Sequence, residues 1–170
     1  DSIRTALAMG ADEGIAVDAP ENLDSYSTAK ALAALIQQEG GAKIVFTGKL
    51  AIDDNASAVG QMVAEFLSIP HTSVVSKLQM TAENVVAERD VEGGAKEVVQ
   101  MALPALIAAN KGLNMPRYAS LPGIMKAKKK TIKEVDLAAL NVDIQLKTKT
   151  LALELPADKP PVKMLSGDSA

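Results

Sequence analysis

Lys43, Ile44, Val45, Phe46 and Thr47 form a short apolar run without polar alternation, set between two segments of helical periodicity. That layout leaves few architectures open. A strand that does not alternate is predicted to be buried on both faces, as strands of parallel sheets are. Residues 27–38 before it carry a helical stripe of Ala29, Leu32, Ala33, Leu35 and Ile36, with Ser25 and Ser27 as capping candidates and Gly40 and Gly41 as the stop. Residues 58–67 after it give a second helix, ended before Pro70. Upstream, residues 2–9 predict a helix closed by Gly10, and residues 14–17 a short buried strand bounded by Asp18 and Pro20. Helix, strand, helix, strand, loop and helix in that order predict crossover units on a parallel sheet.

Beyond Pro70 the period changes. Residues 72–80, 84–89, 96–103 and 105–109 have strand periodicity, and Glu92, Gly93 and Gly94 stand where a hairpin must turn. The expectation is an antiparallel extension of the sheet with a β-hairpin at its centre. From Lys130 onward core and surface residues separate poorly. Residues 137–140 predict one helical turn, and residues 147–155 alternate like an exposed strand. The chain beyond them looks like an arm crossing a surface, or else a frayed tail. The organisation expected is an α/β unit over residues 1–130 and an arm over residues 131–170.

Composition narrows the chemistry. The chain is 48% hydrophobic but only 2% aromatic, so its core must be aliphatic, and base stacking on single-stranded nucleic acid is disfavoured. A net charge of −3 argues against general affinity for nucleic acid backbones. The absence of cysteine excludes disulfides, thiolate metal sites and a cysteine nucleophile, and the lone His71 excludes a His-rich metal site. His71 is expected to be structural. No apolar run approaches the roughly 18 residues of a membrane helix, and the start lacks a signal-peptide pattern, so a soluble, intracellular protein is expected. No set of nucleophile, base and orienting group is visible, so no catalytic residue is assigned.

Two segments remain as sites. The first comprises Gly48, Lys49, Leu50, Ala51, Ile52, Asp53, Asp54, Asn55, Ala56, Ser57, Ala58 and Val59. It joins the apolar strand to a helix start, where open α/β sheets bind ligands. Helix amides favour an anion there, Ser57 can cap the helix or meet a phosphate, and Asp53 and Asp54 can hold ribose hydroxyls or brace the loop. Neither a Walker loop nor a dinucleotide fingerprint is present. The plainer alternative is an ordinary strand-to-helix connection capped by Ser57. The second segment runs from Arg117 and Tyr118 through Leu121, Pro122, Ile124 and Met125 to four lysines at positions 126, 128, 129 and 130. Pro116 and Pro122 predict a stiff, extended surface loop with an apolar tip on a basic base, suited to an acidic partner. The alternative is a loop followed by a solvated helix start.

Taken together, residues 3–12, Gly48 and Lys49 with residues 51–54, Gly60, Gln61 and Met62, and the stretch from Pro116 to Lys130 resemble the β subunits of electron transfer flavoproteins. The match runs in order from Asp1 to about residue 167. The family has an additional α/β stretch before this region and a C-terminal helix after it, so the resemblance implies a piece of a longer chain. It implies an adenine-nucleotide-binding α/β fold of Rossmann type, paired with an α subunit that holds most of the FAD. It also implies a buried AMP in this subunit at residues 48–59, with Asn55, Ser57, Ala58 and Val59 facing the phosphate. In the flavin-bifurcating branch a second FAD takes that place. The loop departs from the commoner Asp-Asp-Asp-Cys-Asn-Gln-Thr pattern of the family, and Ala58 and Val59 offer no side-chain hydrogen bonds.

By the same resemblance residues 113–130 are the recognition loop, with Leu121 as the anchor inserted into acyl-CoA dehydrogenases. Lys126 and Lys129 match lysines methylated in some eukaryotic members, and Asp90 matches an acidic residue that holds the mobile flavin domain at rest. The function implied is electron carriage, without bond chemistry, from dehydrogenases to a membrane quinone oxidoreductase, in the bacterial cytoplasm or the mitochondrial matrix. A flavin-bifurcating subunit and an adenylate-sensing α/β module stand as the alternatives.

Overall fold

The computed structural model describes residues 1–164. Helix α1 (Ser2–Ala8) follows Asp1, and Gly10 leaves it with φ +113°, a backbone that suits glycine. Strand β1 (Ile15–Asp18) leads to helix α2 (Ser25–Gln38) and strand β2 (Ile44–Gly48). Helix α3 (Val59–Leu67) then returns the chain to strand β3 (His71–Met80). Strands β4 (Asn84–Asp90) and β5 (Lys96–Ala102) form the expected hairpin, turning through Gly93 and Gly94, both at positive φ. Strand β6 (Ala105–Ala109), helix α4 (Leu121–Lys129), strand β7 (Lys133–Asp136) and a short 3-10 turn (Leu137–Leu140) complete the folded part.

The strands make two sheets. One has the order β2-β6-β3-β4-β5 and the other pairs β1 with β7. β2 and β3 each run parallel to β6, β1 runs parallel to β7, and the β3-β4 and β4-β5 pairs are antiparallel. The fold is thus α/β with a mostly parallel sheet and an antiparallel extension. Helix α2 lies between the two sheets and presents an apolar face to each. Ala29 and Ala33 pack with Val63 and Ala64 of α3 over Leu106 of β6, while Ala31 packs with Val135 and Leu140. The opposite face of the five-stranded sheet gathers Val75, Val85, Ala87, Met101, Ala105 and Ile107.

Several expectations are corrected. Ala105–Ala109 does not belong to the antiparallel extension but is the parallel strand between β2 and β3. The 43–47 run is not buried on both faces: β2 is an edge strand, and its Phe46 is 53% exposed. β1 is half-buried rather than buried and joins the smaller sheet. Residues 147–155 form no strand, and residues 149–164 are exposed throughout. The residues beyond 164, the last of the predicted arm, lie outside the described part.

Asp24, not Ser25 or Ser27, caps α2. One carboxylate oxygen accepts from the Ser27 N–H at 2.8 Å. The other accepts from the backbone N–H groups of Lys147 and Thr148, the latter at 3.0 Å, and ties the root of the C-terminal chain to the helix. A carboxylate serves this double purpose better than a hydroxyl, since it offers two oxygens and its charge suits a helix N-terminus. The Ser27 hydrogen bonds, followed by those from Lys147 and Thr148, hold the Asp24 carboxyl at about 2, below its ordinary 3.8. A depressed pKa stabilises the fold above the ordinary value, and that contribution is lost as pH falls through the folded value. Between pH about 4 and about 2, unfolding titrations of the native protein should show Asp24-dependent destabilisation. Asp24→Asn should be weaker at neutral pH and lose less across that window. Equal pH slopes for the two proteins would refute the assignment.

Candidate functional site

The β2–α3 connection sits at the carboxyl end of a parallel strand. Lys49 N–H donates to the Ala109 carbonyl at 3.1 Å, which continues the β2-β6 pairing by one residue. The chain then turns back on itself. Asn55 N–H donates to the Ala51 carbonyl at 3.0 Å, and Asn55 and Ser57 both adopt positive φ. Asp53 accepts from the Asp54 N–H, and Asp54 from the Ala56 N–H, each at 3.0 Å. These two carboxylates therefore brace the loop, as local side-chain acceptors do in turns.

Ser57 does not cap the helix. Its hydroxyl donates to the Lys49 carbonyl at 2.9 Å and closes the loop across its base. The N-cap position of α3 falls on Ala58, which offers no side-chain hydrogen bond. The first bond into the helix runs from Met62 N–H to Ala58 O, so the preceding amides of α3 keep their donors. Donors of this kind, with the positive end of the helix dipole, suit an anion.

A cavity of about 270 Å³ opens at this helix start. Gly48, Lys49, Leu50, Ala51, Asp54, Ala56, Ser57, Ala58 and Val59 line it, whereas Ile52, Asp53 and Asn55 do not. Ile52 is 92% exposed and points away. Gly60, the next residue of the segment, lines it too, as do two residues that the sequence did not assign to it, Ser25 and Thr47. Ser25 opens α2, so two helix N-termini converge on one space. The Thr47 hydroxyl is buried and without a hydrogen-bond partner, and a Cβ at Gly60 would stand 2.7 Å from it. Gly60 therefore lets α3 approach the strand closely.

A larger cavity, of about 1200 Å³, lies on the other face of the sheet. Phe46 lines it and Thr47 lines the smaller one, as alternation along β2 requires. Its walls are mainly apolar, including Leu78, Met80, Leu113 and Met115, and no helix N-terminus opens onto it. The smaller cavity is the better anion seat.

Asp90, at the end of β4, is occupied within the subunit. Its carboxylate accepts from Ser76 at 3.0 Å and Asn110 at 2.8 Å and pairs with Lys96 at 3.1 Å. The Lys96, Asn110 and Ser76 contacts, in that order, hold its pKa below the ordinary carboxylate value. It joins β3, β5 and the segment after β6, so it does more than decorate the hairpin. His71 is exposed at the start of β3, where it pairs in register with Leu106.

The stretch expected to be a stiff, extended loop is a helix from Leu121 onward. Ser120 caps it, accepting the Gly123 N–H at 3.1 Å, and Pro122 stands in its first turn, where a missing N–H costs nothing. Arg117 and Tyr118 precede it in irregular chain. Tyr118 is 91% and Leu121 74% exposed, and Met125 and Ile124 are also open to solvent. Lys126, Lys128 and Lys129 occupy the last turn, where cations suit the negative end of the dipole. The apolar residues Leu121, Ile124 and Met125 thus fill the first half of one short helix, and the lysines follow directly in its last turn. The described residues contain no cluster able to hold a metal ion, and no helix among them is long and apolar enough to cross a membrane.

A profile of the electron transfer flavoprotein domain matches residues 1–140. The chain is 42% identical over 163 residues to the electron transfer flavoprotein subunit beta of Mus musculus, a match covering 94% of this chain and 63% of that protein. It is 39% identical over 174 residues to the subunit beta of Bacillus subtilis, covering 99% of this chain and 67% of the relative. It is 45% identical over 149 residues to the mitochondrial subunit beta of Oryza sativa subsp. indica, covering 85% of this chain and 58% of that protein. The chain therefore spans less than two thirds of the mouse and rice relatives.

Proposed function

The chain belongs to the electron transfer flavoprotein family as a β subunit, and from that premise we propose that it is an electron-carrier subunit with a structural AMP. The observation that carries the nucleotide assignment is the uncapped start of α3, opening onto a cavity at the carboxyl end of β2. The phosphate fits there on physical grounds. The free amides of α3 donate to it, Gly60 lets α3 sit close against β2, and the orphaned Thr47 hydroxyl lies beside that helix start. Lys49 adds positive charge on the rim. Asn55, expected to face the phosphate, shapes the loop from outside the cavity instead. The Asp54 carboxylate and the Ser57 hydroxyl that line it are both engaged with the loop's own backbone, which favours a nucleotide that serves the fold over one that reacts.

The redox centre is an FAD held mainly by an α-subunit partner, which supplies the one- and two-electron chemistry when bound. This chain's part is to seat that partner and to dock electron donors. The exposed chain beyond residue 148, with Leu151, Leu153 and Leu155 open to solvent, is the segment free to embrace the α subunit. Asp90, already fixed by Ser76, Lys96 and Asn110, offers a rigid acidic corner for holding the flavin domain. Helix α4 presents Leu121 and Met125 to acyl-CoA dehydrogenases, with Lys126 and Lys129 beside them for acidic rims. Delivery is to a membrane quinone oxidoreductase, in the mitochondrial matrix or the bacterial cytoplasm.

Co-purification of the full-length subunit with its α partner, followed by denaturation and chromatography of the released nucleotides, tests the reading. One FAD and one AMP per heterodimer are expected. Two FAD and no AMP would make the complex flavin-bifurcating and overturn the carrier assignment.

A further inference from the structure

Residues 3–12 and 116–130 stand more than a hundred positions apart and form one structural unit. α4 rests on α1, and the helices exchange cations at their ends. Arg4 of α1 donates from its guanidinium to the Ala127 carbonyl at 2.6 Å and also to the Lys130 carbonyl. In return Lys130 donates from its ammonium to the Ala11 carbonyl at 2.7 Å and the Asp12 carbonyl at 2.8 Å. Each side chain thus satisfies carbonyls at or just past the C-terminus of the other's helix, where intrahelical donors run out and positive charge is favoured. Both side chains are half-buried. A third contact lies near the start of α4: a Cβ at Gly123 would collide with the Ala8 carbonyl oxygen, so the two backbones nearly touch.

Helix α4 has little else to hold it. It is nine residues long, too short to persist alone in water, and Ala127 is its one buried residue. Its large apolar residues, Leu121, Ile124 and Met125, face solvent. Contacts at Gly123 near its start and at Ala127 and Lys130 at its end pin the helix at both ends, which fixes both its position along α1 and its rotation.

We infer that Arg4 is a positioning residue for the docking helix: by bridging the Ala127 and Lys130 carbonyls it sets the pose in which α4 offers Leu121 and Met125 to a partner protein. The inference rests on the docking role proposed above for α4. Both bonds leave one guanidinium nitrogen, which the longer, planar Arg4 head holds between the two carbonyls, a reach that a lysine ammonium on its shorter arm reproduces only in part. Without the bridge α4 populates other orientations, and apparent affinity falls with the fraction that remains competent.

The test uses the full-length heterodimer carrying Arg4→Met, Arg4→Lys, Gly123→Ala or Leu121→Ala. Amide exchange across residues 121–130 and the KM of the complex as electron acceptor of an acyl-CoA dehydrogenase are measured together. Arg4→Met should speed exchange in α4 roughly tenfold or more while α2 and α3 keep their protection. It should raise KM about five- to tenfold with kcat and flavin content unchanged, and Arg4→Lys should recover part of both effects. Should Arg4→Met fail to assemble, Gly123→Ala displaces α4 without removing a charge and should raise KM in the same way. Faster exchange with an unchanged KM, in a series where Leu121→Ala does raise KM, would make the bridge merely structural and overturn the inference. An unchanged KM in Leu121→Ala would instead remove the docking role, and the inference with it.

Discussion

Leu121→Ala should raise the KM of the assembled heterodimer for an acyl-CoA dehydrogenase about 30-fold, with flavin content and saturating turnover unchanged. Leu121 is 74% exposed at the start of α4, so its truncation costs the free subunit little. On the docking role proposed above, the same side chain enters an apolar pocket of the partner, and losing its branched end removes about 2 kcal/mol of burial, equivalent to about 30-fold in affinity. A single anchor of this kind is a hot spot at a small interface, with fast release when it withdraws. Steady-state kinetics with the dehydrogenase, alongside flavin absorbance, checks it. Lost flavin would mean that Leu121 supports the fold, and an unchanged KM would place the docking face elsewhere.

The second large effect is expected at Gly60. A Cβ there would meet the Thr47 hydroxyl at 2.7 Å, with Thr47 Cβ at 3.5 Å and a Leu106 methyl at 3.6 Å. Gly60→Val adds two further carbons to a space already closed, in the layer where α3 meets β2 and β6. Overpacking of this kind costs about 1–3 kcal/mol. It should also push the α3 amides away from the phosphate proposed to sit there, so the purified heterodimer should carry less AMP than the native one. Denaturant unfolding and nucleotide analysis read the two effects separately. Thr47→Ala in the same chain should restore part of the stability, as coupled neighbours do. A Gly60→Val protein with native stability and native AMP content would show that α3 does not need this close approach.

Helices α1, α2 and α3 and the β4-β5 hairpin were legible in the sequence because periodicity and glycine placement are local. Long-range pairing was less visible. Ala105–Ala109 is a continuous apolar run, the pattern of a strand covered on both faces, yet its position after two antiparallel strands hid its parallel partners. β7 offers only Val135 as a buried residue among Lys133, Glu134 and Asp136, too little alternation to mark a strand. In α4 the prolines suggested extension, but Ser120 followed by Pro122 is a helix start, and that signal was available. The loop of the candidate site was legible as a segment. Ser25 and Thr47 were not, since they belong to other elements and only the packing of α2 and β2 brings them to the same cavity.

The strand order β2-β6-β3 carries a consequence for the birth of the molecule on the ribosome. β2 and β3 flank a place that stays empty until residues 105–109 have been made, so the parallel half of the sheet cannot assemble progressively as the chain emerges. Until then Leu106, the residue on which α2 and α3 meet the sheet, is also missing. The nascent chain must therefore hold two helices with exposed alanine and valine faces, and two strands with unpaired inner edges, through the synthesis of the whole β4-β5 hairpin. Non-local pairings of this order are slow to close and leave sticky surface open meanwhile. The nucleotide loop, which depends on β2 being locked against β6 through Lys49 and Ala109, can take shape only after that late insertion.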